Sequence, residues 1–117
     1  MPQKPESRIV KRCLEFLLAL PRCEAHKIHG SEFTRTGEPD IDACLNGRSL
    51  KIEVKQPGQK PTAIQQKRLG DWAMAGAWAT FVTSDMELAS QMVRDELISE
   101  DQADVAFSRA GERRKKK

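Results

Sequence analysis

The sequence predicts a single α/β domain, and three observations carry that reading. Two stretches in which apolar residues alternate flank Asn46-Gly47, the dipeptide best suited to the two positive φ angles of a type I′ hairpin turn. From Glu6 to Leu20 the apolar residues recur at helical spacing instead. Beyond the hairpin, a helix with a capping signature, an apolar run and a second capping signature follow. The order is helix, strand, hairpin, helix, strand, helix, or α-β-β-β-α-β-α. At 117 residues the chain can bury one core but not two. The expected domain is residues 1–100, with 101–117 an irregular, basic C-terminal tail.

Each element has a local reason. In the first helix Ile9, Val10, Cys13, Leu14, Phe16, Leu17, Leu18 and Leu20 form the apolar side, and Pro21 stops it. Glu6 falls within the apolar arc beside Cys13 and Leu17, whereas Glu15 shares the outer face with Arg8, Lys11 and Arg12. Cys23 to Gly30 is expected to be the first strand, followed by a loop from Ser31 to Gly37. After the hairpin, Gln56-Pro57-Gly58-Gln59-Lys60-Pro61 is a loop. Thr62-Ala63-Ile64-Gln65 has the form of a capping box, opening a helix from Ala63 to Ala75. Gly76 ends that helix, and Ala77 to Thr83 reads as a buried strand. Ser84-Asp85-Met86-Glu87 is another capping box, starting a third helix that runs to Ile98.

Counting outward from Asn46-Gly47 fixes the hairpin register. Leu45 faces Arg48, Ala43 faces Leu50, Ile41 faces Ile52 and Pro39 faces Val54, which makes one face apolar. On the other face Asp42 meets Lys51, Asp40 meets Glu53 and Glu38 meets Lys55. Two of these are ion pairs, but Asp40 against Glu53 sets like charges directly opposite one another, which destabilises a sheet unless a cation compensates. Hard divalent ions such as magnesium take carboxylate oxygens. Lys55, one step along the same face, supplies an ammonium able to orient a water or to stabilise charge on a reacting oxygen. Asp40, Glu53 and Lys55 are therefore the candidate centre; the alternative is a solvent-facing sheet surface laced with Glu/Lys pairs.

Gly37-Glu38-Pro39-Asp40, then Ile52-Glu53-Val54-Lys55, then Gln65 after Pro61-Thr62-Ala63-Ile64, resembles the VRR-NUC (viral replication and repair nuclease) domain of the PD-(D/E)XK nuclease superfamily. The likeness spans residues 6–84. It implies a restriction-endonuclease-like mixed β-sheet flanked by helices, and a magnesium- or manganese-dependent endodeoxyribonuclease. In that family pattern Asp40 and Glu53 hold the metal, with the backbone carbonyl of Val54 and a helical Glu, here Glu6, completing the shell. Lys55 acts at the attacking water, and Gln65 supports it. Glu6 also has a plainer role as a first-turn acid complementing the helix dipole, and Gln65 one as the partner of Thr62 in the capping box. Lys27, Arg35 and Lys60 are candidate DNA-phosphate contacts. Stand-alone domains of this type resemble homodimeric resolvases of branched DNA, notably four-way (Holliday) junctions, in DNA repair. Trp72 and Trp78 are candidates for such an interface or for core packing. Two rivals remain: a catalytically silent nuclease-fold protein that binds or assembles on DNA, and a restriction-type endonuclease cutting linear duplex.

Composition agrees with this class. The chain is 38% hydrophobic and 32% charged, and it has no tyrosine. No apolar run approaches the ~20 residues of a membrane helix, and Met1-Pro2-Gln3-Lys4 lacks the character of a secretory signal. A cytoplasmic setting, in a bacterial or phage-infected cell, is expected. Three cysteines, Cys13, Cys23 and Cys44, form an odd set without a disulfide pattern. Cys23, His26 and His29 lack a fourth zinc ligand. The net charge of +3 resides in the C-terminal Arg113 to Lys117, without which 15 basic residues stand against 17 acidic ones. Such a tail either binds phosphates or simply aids solubility. No organic cofactor and no membrane partner are expected.

Overall fold

The computed structural model describes residues 4–115. Helix α1 (Pro5–Leu18) begins with proline at its first position, where the missing N–H costs nothing, and carries Glu6 in its first turn. It ends two residues before Leu20: Ala19 and Leu20 donate backward to Phe16 and Leu17 in a tightened last turn before Pro21. Arg22 then takes φ 56° and reverses the chain into strand β1 (Cys23–Lys27).

Strands β2 (Ile41–Leu45) and β3 (Arg48–Val54) form the expected hairpin. Asn46 and Gly47 adopt φ 52° and 87°, and the pairs Leu45–Arg48, Ala43–Leu50, Asp42–Lys51 and Ile41–Ile52 stand as counted from the turn. Helix α2 (Ala63–Met74) leads to β4 (Trp78–Val82), which lies parallel to β3. The sheet order is β1-β2-β3-β4, antiparallel through the first three strands. It is a mixed sheet flanked by helices, as the sequence predicts.

Alternation along the strands sorts the two faces. Ile41, Ala43, Leu45, Leu50, Ile52 and Val54 are buried together with Val10, Cys13, Phe16 and Leu17 of α1 and with Leu88 and Met92 of α3 (Asp85–Arg94). Trp78 belongs to this core, its indole N–H donating to Asp95 at 2.9 Å. The opposite, polar face is covered in part by α2, which has no fully buried residue. Trp72 of α2 reaches that face, with the Lys51 ammonium 4.0 Å from its ring centroid.

The stretch after Ser99, whose weak period leaves it irregular or weakly helical by sequence, is helix α4 (Glu100–Lys115). Ser99 starts it with a capping box: its hydroxyl accepts from Gln102 N–H at 3.1 Å, and the Gln102 side chain accepts from Ser99 N–H at 2.8 Å. Ala103, Ala106 and Ala110 are buried, and Phe107 packs on Phe16 with ring centroids 4.6 Å apart. The basic residues Arg113, Arg114 and Lys115 complement the helix C-terminus, and Arg114 bonds Glu15 at 2.7 Å. Lys116 and Lys117, the end of the expected tail, lie outside the described residues.

Candidate metal centre

Asp40 stands immediately before β2, where the β2–β3 ladder gives out, and two bonds pin it there. Its carbonyl accepts from Ile28 N–H at 2.7 Å. Its carboxylate Oδ2 accepts from the Val54 N–H at 2.8 Å, so a side chain serves as one more rung of the ladder. Glu53 is the next-to-last residue of β3 and only 2% exposed. Lys55 follows directly, its backbone N–H bonded to Val82 of β4 at 2.9 Å. Its ammonium lies 3.4 Å from Glu53 Oε2 and is itself largely covered, at 13% exposure. Asp40, Glu53 and Lys55 are thus brought together, as the register predicts.

The electrostatics of this group are those of a site short of positive charge. Burial, then the neighbouring Asp40 carboxylate, pushes the Glu53 carboxyl up to about 8, with Lys55 opposing the rise. Glu53 Oε1 is fully buried and has no hydrogen-bond partner. A buried carboxylate oxygen without a donor is costly, and either a proton or a cation relieves it. Two acidic side chains offering hard oxygen donors suit magnesium or manganese, which keep several waters. The residues present therefore fit a divalent ion held by Asp40, Glu53 and a main-chain carbonyl such as that of Val54. No group of three or more His, Cys, Asp and Glu side chains is assembled for a metal among the described residues. That holds for Cys23, His26 and His29, and Glu6 likewise does not join Asp40 and Glu53.

Glu6 is half-buried in the first turn of α1. Gln65 completes the capping box: its side-chain oxygen accepts from Thr62 N–H at 2.9 Å, and its N–H donates to the Thr62 hydroxyl. Lys27 is half-buried at the end of β1, and Lys60 is exposed in the loop before α2. Arg35 is paired with Glu38 at 2.8 Å, its guanidinium carbon 5.9 Å from the Trp72 ring centroid.

That pairing replaces the expected contact between Glu38 and Lys55. The ladder ends at Ile41–Ile52, Pro39 has no N–H to extend it, and Gly37 turns the chain away at φ 84°. Glu38 consequently meets Arg35 and approaches Arg68 at 3.9 Å, while Lys55 turns to Glu53. Arg68 escapes sequence reasoning, although Ile64, Arg68 and Trp72 share one helical stripe at i, i+4, i+8. The thiols of Cys13 and Cys23 are pushed up by burial to about 12 and about 11, which suits packing rather than nucleophilic chemistry.

No protein-family model matches the chain, and no curated protein matches it. Among solved structures, a VRR_NUC domain is similar to it with a TM-score of 0.66 and 26% identity, over 79% of this chain and 97% of that one. The chain has the fold of a VRR_NUC domain.

Proposed function

We propose that this protein is a magnesium- or manganese-dependent endonuclease that hydrolyses DNA phosphodiesters. The observation that carries the proposal is Glu53, a buried carboxyl with an orphaned oxygen, set beside Asp40 and Lys55 in a VRR_NUC fold. Asp40 and Glu53 would hold the ion, with the Val54 carbonyl as a further donor. When bound, such an ion polarises the scissile phosphate and lowers the pKa of a water.

The remaining work falls to the protein. Asp40, anchored through Val54 N–H, cannot swing away from Glu53 without breaking a backbone bond. Lys55 holds its ammonium against Glu53 in a mostly covered position, where its charge is weakly screened. There it orients the attacking water or offsets the negative charge that gathers on the phosphate. Gln65, with its oxygen committed to Thr62, has its amide NH2 left to donate to a phosphate oxygen.

Branched DNA is the substrate class we infer, cut by a homodimer whose two-fold axis would present two centres to a four-way junction. This finer reading rests on the family pattern. The test uses labelled four-way junction, flap, splayed and linear duplex substrates with Mg²⁺. Cleavage of the branched substrates is expected, and Asp40→Ala should lower it by more than about 100-fold, beyond the cost of losing an outer-shell partner. Undiminished cleavage by Asp40→Ala would overturn the assignment of the centre.

A further inference from the structure

The loop that delivers Asp40 has no regular structure from Gly30 to Asp40, and α2 is what grips it. Gly37 lies so close to the first turn of α2 that a Cβ there would come within 2.9 Å of Ile64 Cγ1. One turn on, Arg68 Nε donates to the carbonyl of Thr36 at 3.1 Å and stands 3.9 Å from Glu38 Oε1. A second arm of the same guanidinium reaches Asp71 at 3.4 Å. Another turn on, Trp72 lies beneath Arg35, which itself holds Glu38. The stripe of Ile64, Arg68 and Trp72 therefore runs along the loop, and Arg68 is its polar centre, with its side chain 17% exposed.

We propose that Arg68 is a positioning residue of the candidate metal centre, acting through Thr36 and Glu38 on the carboxylate of Asp40. The inference rests on the metal-site reading given above. Arg68 touches neither Asp40 nor Glu53 and has no part in the chemistry itself. A planar fork joining a loop carbonyl, a loop carboxylate and its own helix fixes the loop in direction as well as distance, and lysine lacks that geometry. Ligand placement within a fraction of an ångström is what such supporting contacts provide. Gly37, Glu38 and Pro39 separate the gripped Thr36 carbonyl from Asp40, and Pro39 alone separates Glu38 from it.

The test uses the full chain and two readouts that do not involve DNA cleavage. The first is Mn²⁺ affinity by titration. The second is hydrogen exchange of the Val54 amide in metal-free protein, since that N–H is bonded to the Asp40 carboxylate. Arg68→Ala should weaken Mn²⁺ binding by roughly 10-fold, the scale of outer-shell losses at metal sites. It should also speed exchange at Val54 relative to Ile52, with Arg68→Lys restoring little of either. Wild-type Mn²⁺ affinity and Val54 protection in Arg68→Ala would overturn the inference. Should that variant fail to fold, Arg68→Met keeps a packed stem of similar length while removing the contacts with Thr36 and Glu38. It must then weaken Mn²⁺ binding about as much, or the inference falls. Loss of Mn²⁺ binding in Asp40→Ala beside wild-type binding in Arg68→Ala would sink this inference and leave the metal site standing. Wild-type binding in Asp40→Ala would remove both.

Discussion

Glu53 sets a stability profile that is opposite to that of an ordinary surface acid. Unfolded, it ionises near its usual 4.5; folded, burial and Asp40 hold its proton up to about 8. As pH rises through that window the unfolded chain releases the proton first, so the folded state loses stability. In the presence of a chelator, the thermal midpoint should fall between pH 5 and pH 8, and Glu53→Gln should flatten that fall; an unaltered slope in the variant would contradict the assignment. Divalent ions should reverse the trend, because they require the ionised form. The clash of Asp40 with Glu53 was legible in the sequence because Asn46-Gly47 fixes a register that alternation then extends to residue 40. The environment of Glu38 was not legible. The register argument presumes a continuing strand, and the chain leaves the ladder at Pro39 and swings at Gly37.

Among the elements, α4 shows where periodicity fails as a signal. Its inward positions are Ala103, Ala106 and Ala110, correctly spaced but so small that their hydropathic contrast is faint, and five basic residues after Glu112 resemble a solvated tail. Its capping box, Ser99 with Gln102, is a local helix signal that the sequence reading passes over. Ser99→Ala should cost about 1 kcal/mol, seen as a lower denaturant midpoint with an unchanged slope. An unaffected midpoint would mean that Gln102 alone sustains the helix start. In α2 the legible feature was Thr62 with Gln65, and the structure uses both sides of that pair in the cap. The loop-facing stripe centred on Arg68 was illegible because Arg68 meets Thr36, 32 residues earlier, a distance that no local pattern encodes.

Over the whole molecule, the sheet separates the apolar core from the candidate centre. One face carries α1, α3 and α4 over a continuous apolar core; the other bears the charged row and α2. The basic end of α4 packs beside α1 through Arg114 and Glu15. Because α2 buries no residue fully while α1 buries four, native-state hydrogen exchange should open α2 at lower free energy than α1 or the β2–β3 hairpin. Uniform protection across these elements would show that the two faces unfold as one.

The bond from Val54 N–H to the Asp40 side chain complicates the usual alanine knock-out. Truncation there deletes an electrostatic partner and also strands an interior amide, blending damage to the scaffold with silencing of the chemistry. An asparagine in its place keeps an oxygen for that amide while discarding the charge, so comparing the two replacements apportions the loss between architecture and reactivity.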